Sequence, residues 1–481
     1  MKNKFVFNEG NQINQIICAI FINIPAISYG TTIGWMSPMT LLLQSKDTPT
    51  EVPLTDIEIS WIASLPYLVC VPANYLVAYV GDRFGRKLSI IFMSTMCAAC
   101  WILKLSSYNI WAFLVARCLA GIVMAASCVN CPVYTKEVCD NNIRGALGCM
   151  LALFFTTGSL FTYIIGDLFS YRTVLWICLS IPVFHLITFT LMPESPSYLV
   201  KIGKEEEAAK ALSWLRRRGK NHYTIQNEIE ALKKEQKNDI DGDKFLLKAI
   251  LKDKILFKAF QIALMAALAR EVCGAVPVLN FAGGIFAMAS EGTGLILSPN
   301  QQAMMLGVVQ LTGSLLASSV VEKVGRKVLM AGTCLISGLS MFGLASWFLA
   351  RDYSYFAPAW IPVFTLCLCI LCDASGLQPI SVVITGEIFS FKYRGSVLAT
   401  TMAIASLADF LQLLYFKPLA SSIGVHYAFY FFSFMCLSSA LYTIIVVPET
   451  KARDLEDIYD DLRGIKRNEK NKEISTISNS V

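Results

Sequence analysis

Gly81-Asp82-Arg83-Phe84-Gly85-Arg86-Lys87 is matched, 240 residues later, by Val321-Glu322-Lys323-Val324-Gly325-Arg326-Lys327. Both versions run acid, base, Gly, Arg, Lys, and both are flanked by long apolar stretches. Two further motifs repeat in the same order. Glu137 precedes Arg144-Gly145 as Glu387 precedes Arg394-Gly395, with seven residues from acid to Arg each time and an offset of 250. Pro193-Glu194-Ser195 returns as Pro448-Glu449-Thr450 at an offset of 255. Three motifs in one order at nearly constant offsets mark an internal duplication, two halves built on one plan.

The material between the motifs is apolar. Of 481 residues 55% are hydrophobic and 16% charged, with a mean hydropathy of +0.54. A soluble chain carries about 25% charged residues, so a soluble enzyme is excluded. A membrane-crossing helix needs about 20 apolar residues. Twelve stretches qualify: 16–43, 59–79, 88–105, 110–131, 147–168, 173–192, 259–290, 302–321, 328–350, 359–383, 396–419 and 425–447. The expected fold is an all-α polytopic membrane protein, with twelve transmembrane helices in two pseudo-symmetric six-helix bundles. The expected organisation is a cytosolic N-terminus (1–15), a first bundle (16–192), a cytosolic loop with short helices (193–258), a second bundle (259–447) and a cytosolic tail (448–481).

Basic residues orient the chain. Of the 41 Lys and Arg, five (Lys46, Lys104, Arg172, Arg351 and Lys417) fall on one face, Arg117 and Arg270 lie within spans, and the remaining 34 fall on the other. Positive residues stay cytosolic, so both termini and the middle loop are expected there. The net charge of +6 is then a topology signal, and nucleic acid is not an expected partner; the bilayer is. The first apolar run is too long for a cleavable signal. The 16 cysteines include three C-x-x-C pairs (Cys97/Cys100, Cys128/Cys131, Cys369/Cys372), all inside apolar spans, where thiols act as small packing residues. In the loop, Ser195-Pro196 reads as a helix start, and Thr224 as a second. Parallel repeats of this kind are typical of transporters that rock two bundles about a midplane site. The repeated Glu and Arg residues are expected to clamp the cytosolic ends of the two bundles together as a gate.

The motifs resemble those of the sugar-porter branch of the major facilitator superfamily: Gly81 to Lys87, Pro132-x-Tyr134-x-x-Glu137, Arg144-Gly145, Pro193-Glu194-Ser195-Pro196, Gly386-Glu387-Ile388-Phe389 with Arg394-Gly395, and Pro448-Glu449-Thr450-Lys451. Within that branch, Gly34-Trp35-Met36-Ser37-Pro38, Ser60 to Ser64 and Pro448 to Ile458 resemble insect facilitated trehalose transporter-like proteins. The resemblance implies the major facilitator fold, alternating-access movement of a sugar or related small polar solute, a multi-pass plasma-membrane location and no cofactor. It also implies a charge network of Asp82, Arg83, Arg86, Lys87, Arg117, Glu137, Arg144, Glu194, Glu322, Arg326, Glu387, Arg394 and Glu449.

The solute site departs from that pattern. Where sugar porters carry a Gln-Gln pair followed by Ser-Gly and an Asn in the seventh span, this chain has Arg270-Glu271-Val272-Cys273-Gly274-Ala275-Val276. Ala152 in the fifth span, Val382 in the tenth, and Ala405 and Ser406 in the eleventh replace other sugar-facing groups. Candidate solute-binding residues are therefore Gln310, Arg270, Glu271, Thr31, Gly376 and Pro379. Arg270 and Glu271 each cost on the order of 3 kcal/mol at a helix centre unless paired. Helix neighbours point about 100° apart, so each is expected to find a separate partner, with Asp373 and Asp409 the candidates. One reading is a charge-lined solute cavity and the other an internal ion pair that closes it. The first span has Tyr29 to Thr32 where proton-driven members carry an acid, which favours facilitated diffusion, with Glu271 a competing proton site. No catalytic or metal-ligand constellation is visible, and His185 and His426 are read as packed or interfacial. The competing function is a transporter-shaped sensor or non-transporting relative.

Overall fold

A computed structural model describes residues 12–140, 143, 147–219, 223–239, 253–290, 297–353, 355, 358–389, 391–451, 453 and 455–463. The protein is all-helical among these residues. Among the described residues eleven helices are long and apolar enough to cross a membrane, and a 26-residue helix, Pro299–Val324, stands at the eighth apolar stretch.

The first span is Ile13–Gly34, followed directly by Met36–Gln44. The second, Asp56–Phe84, opens with a capping box: Glu58 N donates to Thr55 Oγ1 and Thr55 N to a Glu58 carboxylate oxygen. Spans three to six are Arg86–Ser106, Ile110–Val138, Met150–Leu168 and Tyr171–Phe189. The seventh is broken, Lys254–Glu271 then Ala275–Ser290, with Gly274 at φ +82 in the joint. The tenth is broken as well: Ile361–Cys372, a π-helical turn Asp373–Leu377, then Gln378–Ile388. Span nine is Arg326–Asp352, eleven Phe391–Ile423 and twelve Val425–Val446.

The duplication extends from motifs to packing. In the first half span one packs on five and four, and span three on four and six; in the second, seven packs on eleven and ten, and nine on ten and twelve. By Cα proximity the chain forms two compact units. One holds Met1–Gly242 with Leu279–Met288 and Leu297–Gly307; the other holds Asp243–Val278, Ala289–Ile296 and Val308–Val481. Within the first unit, Leu279–Met288 is tied to the first half's spans: Tyr163 Oη donates to the Leu279 carbonyl (2.8 Å), the Asn280 amide to Tyr67 Oη (3.4 Å) and Gly283 N to Ser37 Oγ (3.1 Å).

Small residues let spans one and five touch backbone to backbone. A Cβ on Gly30 would fall 2.1 Å from the Phe155 carbonyl oxygen, and one on Gly158 2.2 Å from that of Ile27. With no hydrophobic force between helices in lipid, such close approach supplies much of the association.

Between the halves, Ser195 caps Pro196–Lys201, followed by Glu205–Arg216 and Tyr223–Asp239. Leu199, Ala208, Leu212, Ile225 and Ile229 form their shared core. Arg216 joins this subassembly to the end of span four, reaching Glu228 (2.6 Å), Asp140 (3.1 Å) and the Val138 carbonyl (2.9 Å).

Lys104 departs from the sequence reading. It is fully buried, its Nζ 3.9 Å from the Trp35 ring centroid and 4.2 Å from that of Trp101. Cation–π attraction in this box replaces the hydration the loop position would have supplied. Removing Lys104 from the sparse face strengthens the charge asymmetry.

Overpacking at the interface of spans one and five should cost about 1–3 kcal/mol. Gly158→Val is therefore expected to lower the melting temperature of the purified protein. Gly148→Ala, whose Cβ meets nothing within 4 Å, should not. Equal melting of both variants would contradict the close approach.

Candidate functional site

Two sets of polar groups stand out, the repeated motifs at the helix ends and a charged cluster inside the second half. At Gly85, φ +100 lets the chain turn from span two into span three without a Cβ, and a Cβ there would lie 2.3 Å from Glu194 Oε2. Glu194 Oε1 can therefore accept from the amides of Arg86 (3.0 Å), Lys87 (3.0 Å) and Ser195 (2.8 Å). The Arg86 guanidinium grips Glu137 through Nε (3.2 Å) and Nη2 (3.1 Å) and reaches Asp82 through Nη1 (2.6 Å). Ser195 Oγ donates to the other Glu137 oxygen (2.5 Å), and Tyr134 Oη to the Pro193 carbonyl.

The second half repeats the arrangement. Gly325 has φ +98, and a Cβ would meet Glu449 Oε2 at 2.9 Å. Glu449 accepts from the amides of Arg326 (2.9 Å), Lys327 (3.2 Å) and Lys451 (2.9 Å). Arg326 grips Glu387 through Nε (3.1 Å) and Nη2 (2.8 Å), and Thr450 Oγ1 takes the part of Ser195 (2.6 Å).

Burial opposes ionisation of both cradled acids, but with different outcomes. It holds Glu194, beside Glu137, above the ordinary carboxylate value despite its amides. At Glu449 the amides of Lys451, Arg326, Lys327 and Thr450 outweigh burial and hold the carboxyl below that value. Glu449 therefore contributes stability above its unfolded value and loses it as pH falls through the folded one; for Glu194 acidification favours the fold, and its contribution fades as pH rises through its folded value.

These pairs correct the expected gate in one respect. Each carboxylate and guanidinium described here closes within a single half, so none of these pairs is a tie from one bundle to the other. The reason is local: the turn glycine brings the cradled acid onto the amides of its own motif. Arg117 is also elsewhere. Fully buried, it donates from Nε to the Ile62 carbonyl (2.6 Å) and from Nη1 to that of Thr32 (2.6 Å), joining spans one, two and four. Arg83 offers its carbonyl to Tyr198 (2.9 Å), Lys87 Nζ donates to the Thr190 carbonyl (2.6 Å), and Glu322 is exposed. Arg144 and the Arg394 side chain lie outside the described residues.

Of the solute candidates, the structure brings Arg270 and Glu271 together with Asp373. Arg270 Nη1 lies 2.7 Å from Glu271 Oε1 and its Nε 3.9 Å from Asp373 Oδ1, and Asp409 is buried in the same half. The expectation that helix neighbours must find separate partners therefore fails. Both residues lie in the last turn of the helix, which ends at Glu271, and the long Arg270 side chain reaches its neighbour's carboxylate. Glu271, Asp373 and Asp409 are 2%, 3% and 4% exposed, so the charge is inside the bundle. Gln310 is also buried, and its Oε1 has no hydrogen-bond partner among the described residues. Thr31 is buried, with its hydroxyl donating to the Ser28 carbonyl (2.8 Å). Gly376 is taken up by packing: its Cβ would lie 2.4 Å from Thr333 Cγ2 of span nine. Pro379 stands at the start of the helix after the π-turn, half-buried. His185 is buried, with Nδ1 2.8 Å from Ser94 Oγ and Nε2 3.0 Å from the Phe21 carbonyl.

The sequence reading missed the Tyr67–Asn280 pair and the Lys104 box. Trp101 and Lys104, three apart on one helix face, were a usable signal for the box; Tyr67 and Asn280 are too far apart in sequence to have given one.

The sugar (and other) transporter family model matches residues 18–462. A human relative, solute carrier family 2, facilitated glucose transporter member 6, is 28% identical over 92% of this chain and 89% of its own. The facilitated trehalose transporter Tret1 of Bombyx mori is 26% identical over 92% and 86%. Among solved structures, the inward-open conformation of the xylose transporter XylE from E. coli superposes with a TM-score of 0.77 at 19% identity, covering 92% of this chain and 99% of that one. At this identity the likeness is one of fold.

A hydrogen bond to a charged partner contributes about 1.5–3 kcal/mol. Glu137→Gln and Glu387→Gln should each lower the melting temperature, and the Arg86→Gln/Glu137→Gln double-mutant cycle should show a coupling of about 0.5–3 kcal/mol. Strict additivity of that pair would refute the clamp.

Proposed function

Because the chain belongs to the sugar (and other) transporter family, we propose that it is a plasma-membrane carrier, not an enzyme, which moves a small polar solute of the trehalose or hexose class by alternating access. Both termini face the cytosol, in keeping with the basic residues crowded on that side. The observation that carries the reading is the repeated clamp. A motif that holds three segments of one half by an Arg–Glu grip and an amide cradle makes each half a rigid body, and alternating access needs two such bodies. In this proposal the clamps are not broken in the cycle. They keep each half stiff while the broken spans seven and ten bend. The absence of an acid at Tyr29 to Thr32 favours facilitated diffusion, and Gln310, Arg270 and Glu271 are the groups proposed to contact the solute.

A second reading rests on the Arg270–Glu271–Asp373–Asp409 cluster. Sites built to pair hydroxyls reject ligands through groups that must be satisfied, and charges that satisfy one another leave little for a sugar. That favours a sensor or non-transporting relative. Ligand-dependent thermal stabilisation without flux would select it.

Uptake of labelled trehalose, glucose and a panel of polar solutes into oocytes tests the carrier. Saturable flux of at least one sugar is expected, altered in Arg270→Gln/Glu271→Gln. No saturable flux for any solute would overturn it. Arg86→Ala should loosen the first half, read as greater reactivity of cytosolic-end cysteine probes; unchanged reactivity would count against the rigid-body role.

A further inference from the structure

At the end of the first half away from the Arg86–Glu137 grip, buried donors gather with no acceptor to receive them. Lys104 stands near the last residue of span three, the helix that Arg86 opens. Its Nζ lies 3.9 Å from the Trp35 ring centroid and 4.2 Å from that of Trp101, and all three residues are fully buried. The Trp35 ring is in turn 6.4 Å, centroid to centroid, from that of Tyr171, the first residue of span six. Lys104 Nζ, Trp35 Nε1, Trp101 Nε1 and Tyr171 Oη are buried atoms with no hydrogen-bond partner among the described residues. Ammonium and indole N–H groups can only donate, and the phenol can donate with them.

The charge is as one-sided as the hydrogen bonding. Lys104 forms no ion pair among the described residues. A second buried cation, Arg117, holds the carbonyl of Thr32, three residues before Trp35, and its Nη2 is likewise without a partner there. Native interiors satisfy buried donors and pair buried charges. The ring faces attract the ammonium, but they bring no counter-charge and accept nothing from the N–H groups at their own edges. A neutral amine would not be drawn over two ring faces, and a water molecule would accept some of these bonds without bringing charge. An anion answers both shortages at once. A spherical monovalent one accepts from donors that point in different directions, which a planar carboxylate does not, and adds no more negative charge than one ammonium balances.

We propose that Lys104, Trp35 and Trp101, with Tyr171 beside them, form a binding site for a halide ion, chloride under physiological conditions, within the first half. The ion accepts from the ammonium and from the indole N–H edges, so the box holds an ion pair and not a lone cation. Its donors come from the joint after Ile13–Gly34, from span three and from the start of span six, and the bound ion therefore fastens three segments at one end of the half. The site stands whichever solute is carried.

Thermal melting of the full-length protein in lipid nanodiscs, with gluconate exchanged for chloride or bromide at constant ionic strength, tests this without any solute. An ion that binds the folded state raises the melting temperature along a saturable curve. That curve is expected for the natural chain and for Lys46→Gln, an exposed loop control, and not for Lys104→Gln. Trp101→Phe keeps a ring face under the ammonium but removes the N–H, and should weaken halide affinity roughly fivefold or more; a box that only packs the lysine would leave the affinity unchanged. Bromide quenches indole emission on contact, so quenching should saturate with the same midpoint and be relieved by chloride. Absence of a saturable halide effect in the natural chain, or an undiminished one in either variant, would overturn the proposal. Should Lys104→Gln misfold, the natural chain and Trp101→Phe decide it.

Discussion

A carboxylate resting on backbone amides holds each half's motif end together. Glu194 accepts from Arg86, Lys87 and Ser195, and Glu449 from Arg326, Lys327 and Lys451. The amides concerned include the first of a span, which have no partner within their own helix. The acid thus satisfies donors that must be satisfied by something, and in doing so pins the end of span six to the start of span three, and the end of span twelve to the start of span nine. The Arg side chain of the same motif is then left free to turn sideways and grip Glu137 or Glu387. Backbone and side chain of one residue hold two different acids, and the glycine is what lets the cradled carboxylate approach the amides.

Much of this is legible in the sequence because it is written twice. A single Gly-Arg-Lys run would be ordinary charge at a helix end. Two runs with the same acid-to-Arg spacing downstream, and a Glu following Pro beyond each sixth apolar stretch, specify which residues belong together. What spacing does not reveal is who holds whom. A charge repeated in both halves reads equally well as a tie across the molecule or as a tie inside each half, since only the fold brings Gly85 onto Glu194.

Arg270 and Glu271 show where a local rule stops applying. The 100° separation of neighbours fixes where their Cβ atoms point, not how far a guanidinium on a long stem can reach, and the break before Gly274 cannot be placed from an apolar run containing no proline until Pro277. Arg117 was legible as a buried cation, but its carbonyl partners at Thr32 and Ile62 carry no residue-type signal, because any residue has a carbonyl. The candidate site is accordingly the less readable part of the chain. Its members are few, scattered over three spans, and different from the amides that the family resemblance leads one to expect there.

Lys104 bears on how the first half holds together. A span entering the bilayer alone can keep a lysine near its end in contact with headgroups and water by extending the stem outward. In the finished first half that outlet is closed, and the ammonium rests on Trp101 of its own helix and on Trp35, which links Ile13–Gly34 to Met36–Gln44. The box thus ties the end of the third span to the joint between the first two segments, so losing Trp35 would leave a buried cation with half its cover.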